Sequence, residues 1–255
     1  MTQRDPAAPL LGIVTIGQSP RPDLVAAFAA HAPGARVEVR GALDSLDTTA
    51  IDVLSQLPTD YPLLVRLVDG TTRSIGRDAL HPLVQRVAQT FAADGASAVV
   101  VACAGDFPDV ACDIPVVLPG RVVPAVTRAL CTSPRIGVVT PIEGQVAAAT
   151  AKWRTDGFDP VVTSTPPDDD AALDRAAEQL RSAGVTLIVL DCMGHADDAA
   201  RRQRLGQEDA GPRVRLEPAR RIVGVAHAIK HDERDAGALQ LFGRAVERYV
   251  IVGRG

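Results

Sequence analysis

Short apolar runs alternate with longer segments of helical spacing along most of this chain. LLGIVTIG (10–17) is rich in β-branched residues and predicts a buried strand. The two prolines of the following QSPRPD hold off a helix until about Asp23, after which DLVAAFAAHA carries apolar residues at helical spacing up to Pro33-Gly34. ARVEVRGAL (35–43) and LLVRLVDG (63–70) alternate as half-exposed strands do. ALHPLVQRVAQTFAADG (79–95) predicts a helix closed by Gly95, which leads straight into SAVVVACAG (97–105), a valine-rich strand. PVVLP (115–119) reads as a strand and VVPAVTRAL as a helix, then RIGVVTP (135–141) as a fresh strand. AALDRAAEQLRSAG (171–184) is the clearest helix, with aspartates at its start that suit the helix dipole, and VTLIVLDCMG (185–194) follows as a strand. Helix, glycine and apolar strand in repetition predict an α/β fold with a mostly parallel sheet covered on both faces.

The pattern also repeats at long range. AADGASAVVVACAGD (92–106) aligns without a gap on RSAGVTLIVLDCMGH (181–195), 89 residues later. Gly95 falls on Gly184, Ser97 on Thr186, Val100 on Val189, Cys103 on Cys192 and Gly105 on Gly194. The strands that open each half echo one another too, Gly12-Ile-Val-Thr15 against Gly137-Val-Val-Thr140, each with a glutamine in its loop, Gln18 and Gln145. A looser third echo joins PVVLPGRVVPAVTRAL to PRVRLEPARRIVGVAHAI. An α/β half used twice predicts two pseudo-symmetric lobes. Because each proline-led helix is expected to cross over, lobe one is assigned 1–119 plus 217–255, and lobe two 120–216. Ligands bind at strand ends in open parallel sheets, so Cys103 and Cys192 are expected on opposite walls of one cleft.

Composition narrows the classes. With 255 residues and 46% hydrophobic content the chain can build one large α/β domain or two small lobes, and with 3% aromatics its core must be aliphatic. A net charge of −4 and a pI near 5.7 give no basic footprint for nucleic acid. No apolar run nears the roughly 20 residues of a membrane span, and MTQRDPAAPLLGIVTIG is too poorly flanked for a signal peptide. The cysteines, Cys103, Cys112, Cys131 and Cys192, lack CxxC spacing and the density of a secreted scaffold, so a cytoplasmic location with reduced thiols is expected. There is no P-loop and no GxGxxG, and Cys and His are too scattered for a zinc site.

A pair of facing thiols suits one chemistry. Inverting a carbon beside a carboxylate needs one base to remove its proton and an acid to deliver another to the opposite face. Thiols serve either role if backbone N–H groups bring their pKa toward neutrality, and no cofactor or metal is then required. Cys103 and Cys192 are therefore the catalytic candidates, although a buried thiol is more often an inert small hydrophobe. Ser19 and Arg21 are candidates to hold a substrate carboxylate, and an ordinary polar loop is the alternative. Thr15, Gln18, Thr140 and Gln145 are weaker substrate-binding candidates, and Ala104, Gly105, Met193 and Gly194 join them as the residues just past each thiol. Asp106 and His195 lie three residues beyond a thiol and are candidates to tune it, with a helix N-cap as the equal alternative for Asp106. Asp191 alternates to the other face of its strand and is given a structural role. Arg66, Asp69 and Arg73 form either a solvated hairpin-like turn or a rim.

The two thiol-ended strands resemble the aspartate/glutamate racemase superfamily. Within it, IVTIGQSPRPD, GALD, DYPLLVRLVDGT, KW and IVLDCMG resemble the AroM family, from about Gly12 to Arg221. The resemblance implies a two-lobed fold and a cofactor-independent racemase, epimerase, cis–trans isomerase or decarboxylase of small carboxylic acids. Some relatives keep one cysteine; two here favour two-base chemistry. Cys192-Met193-Gly194-His195 departs from the Cys-Thr-His of amino-acid racemases, so neither the histidine's role nor the threonine's carboxylate contact transfers. The expected activity is racemase or epimerase action on an amino acid or derivative. The alternatives are a single-thiol lyase, decarboxylase or cis–trans isomerase, and a non-catalytic ligand-binding regulator. The expected partner is a small carboxylate, with no nucleic acid and no membrane. YVIV near the C-terminus reads as a strand at a sheet edge or in a homodimer.

Overall fold

A computed structural model describes residues 8–131, 133–185, 187–194 and 250–252. The first half runs β1 (Leu10–Thr15), α1 (Pro22–Ala29), β2 (Arg36–Gly41), α2 (Thr48–Ser55), β3 (Pro62–Arg66), β4 (Thr72–Gly76), α3 (Arg77–Ala93), β5 (Ala98–Ala102) and β6 (Val116–Val117). After α4 (Pro119–Leu130) the second half runs β7 (Arg135–Thr140), a 3-10 turn (Glu143–Gln145), α5 (Val146–Thr155), β8 (Asp159–Ser164), α6 (Asp170–Ser182), β9 (Leu187–Leu190) and β10 (Val250–Val252). The first sheet has the order β2-β1-β5-β6 and is parallel throughout; the second has the order β10-β9-β7-β8. β3 and β4 form a separate antiparallel hairpin that has no counterpart among the described residues of the second half.

The sequence echo is an echo in register. In the first sheet Gly12, Ile13 and Val14 lie opposite Val99, Val100 and Val101. In the second, their counterparts Gly137, Val138 and Val139 lie opposite Ile188, Val189 and Leu190. Both helices that enter these strands end at a glycine with φ +77°, Gly95 and Gly184, a left-handed conformation that side-chain-bearing residues avoid. The two halves are thus the same supersecondary unit, and each thiol follows the equivalent strand.

Sheet one is apolar on both faces, as a strand covered twice must be. Val14, Val99 and Val101 pack with Leu80, Val84, Ala88 and Phe91 of α3. Ile13, Val100 and Ala102 pack with Leu24 and Phe28 of α1 on the other side. α4 lies between the sheets: Val122 and Val126 pack against sheet one, and Val123 packs against Trp153 and Val189 of the second half. β8 carries Pro160 because it is an edge strand, where a missing N–H costs no ladder bond.

The tail corrects one expectation. The exchange inferred from sequence put 217–255 with the first lobe, yet Val250–Val252 pair antiparallel with β9 and so extend the second sheet. The free edge of β9 presents backbone donors and acceptors that need partners, and an antiparallel strand supplies them without a crossover helix. Residues 217–249 and 253–255 lie outside the described residues. No helix among the described residues is long and apolar enough to cross a membrane.

Candidate active site

Both thiols stand just past the C-terminal ends of their strands, and each accepts a backbone N–H from the glycine two residues on. Gly194 N lies 3.2 Å from Cys192 Sγ, and Gly105 N–H serves Cys103 in the same way. Cys103 is 6% exposed, and Cys192 is half-buried. Lack of solvation outweighs the N–H bonds and pushes Cys103 up to about 12 and Cys192 up to about 11. The lowering toward neutrality expected from those N–H groups is therefore not found at either thiol. Ionised Cys192 raises Cys103 further, as does the Asp191 carboxylate, while Lys152 pulls it down. At Cys192, Asp191 raises and Arg21 lowers. The cation that favours each thiolate thus comes from the opposite half of the chain.

Lys152 links the two thiol loops. Its Nζ donates to Ala104 O at 2.9 Å and to Asp191 Oδ1 and Oδ2 at 3.1 and 3.4 Å. The Lys152 side chain is 7% exposed and that of Asp191 2%. Trp153 Nε1 donates to Asp191 Oδ2 at 3.1 Å. Around Cys103 the hairpin supplies Tyr61, whose Oη accepts the Asp106 N–H at 3.0 Å and whose phenol burial pushes to a higher pKa. A side chain on Gly105 would meet Tyr61 Oη at 3.1 Å, and one on Gly120 would meet Gly105 O at 2.0 Å. Glycines at both positions let the hairpin and the start of α4 close on the Cys103 loop.

Most of the polar candidates are engaged within the fold. Asp44 accepts from Ser19 N, from Ser19 Oγ and from Gly41 N, each at 2.7 Å, so Ser19 and Asp44 pin their two loops together. Arg21 is held by Asp23 through Nε and Nη2, and its side chain is 14% exposed. Gln18 Oε1 accepts Val68 N–H at 3.1 Å, and Gln145 Nε2 donates to Pro62 O at 2.7 Å, so the two equivalent glutamines grip the hairpin from both halves. Thr15 Oγ1 accepts from Gly17 N at 3.4 Å, and Thr140 Oγ1 lies 3.2 Å from Ile142 O. Asp106 pairs with Arg77 at 3.3 Å. Ala104 and Gly105 flank Cys103; Met193 packs on the α1 face of sheet one, and Gly194 rests on Pro167. His195 lies outside the described residues.

Arg73 pairs with Asp52, and Asp69 caps Thr71, so the VDGT turn is an ordered hairpin tip. Cys112 and Cys131 are half-buried. Sequence reasoning did not single out Asp44, Tyr61 or Lys152. For Lys152 a signal exists: the chain uses arginine 25 times and lysine twice. Among the described residues no three His, Cys, Asp or Glu side chains group as metal ligands would. An open apolar groove of about 410 Å³ lies elsewhere, along β6 and α4, lined by Val116, Val117 and Val122 among others.

Comparison with solved structures places the fold. The chain is similar to allantoin racemase from Klebsiella pneumoniae, with a TM-score of 0.50 and 16% identity over 94% of this chain and 86% of that one. It also matches a glycine-to-cysteine mutant of arylmalonate decarboxylase in its sulfate-associated form, with a TM-score of 0.49 and 19% identity over 78% of this chain and 85% of that one. No curated protein matches the sequence. The model of the AroM protein family matches residues 11–217, which include both thiols, the Asp44 loop clamp and the Lys152 bridge, and the chain belongs to the AroM family.

Proposed function

We propose that the chain is a cofactor-independent isomerase of the racemase or epimerase kind, acting on the carbon beside the carboxylate of a small acid. The observation that carries this reading is the pair of equivalent thiols, each just past a strand end with a glycine N–H on its sulfur, with the charge of Cys192 bearing on Cys103. One sulfur, as thiolate, takes the proton from the substrate carbon; the other, as thiol, gives a proton to the opposite face. The enzyme ends with the proton moved from one thiol to the other, and a second turnover runs in reverse. Arg21, Arg77 and Lys152 are each already paired within the fold. The racemase fold shared with the Klebsiella protein supports this reading.

One asymmetry favours a second reading. Cys103 is buried under the hairpin while Cys192 is half-exposed, which suits a lyase or decarboxylase that works through one thiol. Deuterium incorporation at Cα, followed by NMR in heavy water over a panel of amino acids, hydantoins and 2-substituted dicarboxylates, separates the two. In the two-base reading Cys103→Ser and Cys192→Ser both lose racemisation, since a hydroxyl is far too weak an acid to take over at neutral pH. Each then retains exchange into one enantiomer only, of opposite hand. Full activity in Cys103→Ser with loss in Cys192→Ser selects the one-thiol enzyme. Equal ligand binding by all variants with no turnover by any of them selects a binding protein.

A further inference from the structure

The side chains that α5 turns toward the first half of the chain follow one helical face. Gln145 at its N-cap donates to Pro62 O, Ala148 packs against the Val99–Val101 cluster, and Lys152 reaches Ala104 O. These are positions i, i+3 and i+7, two turns along one stripe. The adjoining stripe, Ala149 and Trp153, is buried in the helix's own half. At the end of the first stripe the chain carries a lysine, although it otherwise relies on arginine. The ammonium donates there to three oxygens, Ala104 O and both carboxylate oxygens of Asp191.

The oxygens it joins belong to the thiol loops. Ala104 is the residue after Cys103, and Asp191 is the residue before Cys192, so a continuous path runs from one thiol to the other through a single ammonium. We infer that Lys152 is a positioning residue that holds Cys103 and Cys192 in their working separation, so that the thiol pair exists only while the Ala104–Lys152–Asp191 bridge is intact. This rests on the two-thiol reading above. Trp153, next to Lys152 on α5, donates to the same carboxylate and holds Asp191 in one orientation, so the bridge has one geometry rather than several. Neither charge is solvated, so neither can drift out without leaving the other uncompensated, and the bridge is either whole or broken. The charged and titratable groups that bear on Cys103 are Cys192, Asp191, Lys152 and the Tyr61 phenol; Asp156, at the C-cap of α5, also feels Lys152. Lys152 is the cation among them.

A dibromo-bimane that fluoresces on joining two thiols reads the separation directly and needs no substrate. In the full, unaltered chain it is expected to bridge Cys103 to Cys192, as identified by peptide mass. In Lys152→Met the bridging is expected to slow by roughly tenfold or more, with alkylation of Cys112 and Cys131 unchanged within about twofold. The pH midpoint for alkylation of Cys103 is expected to rise in the same variant, since its cation is gone. Should Lys152→Met fail to fold, the double variant Lys152→Met/Asp191→Leu carries the test, because it leaves no unpaired charge in the interior. It is expected to keep the unfolding temperature of the unaltered chain and still bridge slowly. Bridging at the unaltered rate in either variant overturns the proposal while leaving the two-thiol reading in place. Absence of any Cys103–Cys192 bridge in the unaltered chain overturns both.

Discussion

At the scale of single residues, what separates a ligand-binding side chain from a structural one is whether its hydrogen bonds are already made. Ser19 and Asp44 share two bonds of 2.7 Å and are 25 positions apart in sequence. A substrate contact would show in KM alone, whereas a loop clamp shows in stability and is shared by both partners. We expect Asp44→Ala to cost about 1–2 kcal/mol, since it frees three donors, and Ser19→Ala to cost less. In a double-variant cycle read by urea unfolding, the coupling between them should be about 0.5–1 kcal/mol; additivity would return Ser19 to the list of ligand contacts. The clamp matters to the site because Arg21, two residues on, is the cation that favours the Cys192 thiolate.

At the scale of elements, the repeated unit depends on a helix lying close on its strand. Each half meets that need with a glycine at the same register position, and the two are not equally crowded. A Cβ on Gly12 would stand 2.6 Å from Cγ of Phe91, a rigid ring with no exposure; one on Gly137 would meet Leu180 Cδ1 at 2.9 Å. A leucine methyl can swing aside where a ring carbon cannot. We therefore expect Gly12→Ala to destabilise by about 2–3 kcal/mol and Gly137→Ala by about 1 kcal/mol, both as shifts in the urea midpoint. Equal losses would mean that α3 and α6 are seated alike.

At the scale of the molecule, two buried thiols make stability depend on alkaline pH. Their folded values, about 12 and about 11, lie above the unfolded value near 9.0. The folded chain therefore holds protons that the unfolded chain releases above pH 9. This contribution is fully present below pH 9 and is lost as pH rises through the folded values. By about pH 10.5 Cys103 alone should cost the fold ~2 kcal/mol relative to its contribution near neutrality. Tyr61, also raised by burial, adds to the slope above its own unfolded value near 10.0, so the check is a difference. Unfolding free energies at pH 8 and 10.5 should diverge less in Cys103→Ala/Cys192→Ala than in the unaltered chain. The same ionisation should make any proton-transfer rate rise with pH across the neutral range, because the thiolate is the scarce form there.

What the sequence determined by itself was whatever depends on neighbours along the chain. Apolar periodicity determined the strands and the larger helices, and the gap-free echo placed Cys103 and Cys192 at equivalent strand ends before any coordinate was known. Four elements of weak periodicity carry no prediction from sequence: α2, β4, α5 and β8, the last opening on Asp159-Pro160 at a sheet edge. The tertiary structure alone decided where the polar side chains spend their hydrogen bonds, because the partners lie far away in sequence: 83 positions for Gln145 and Pro62, 48 for Lys152 and Ala104. It decided that Cys103 is desolvated, which depends on the hairpin and the start of α4 closing on its loop and not on the residues beside it. It also decided which sheet Val250–Val252 extends, since an open strand edge takes any partner of suitable length and only packing selects among them.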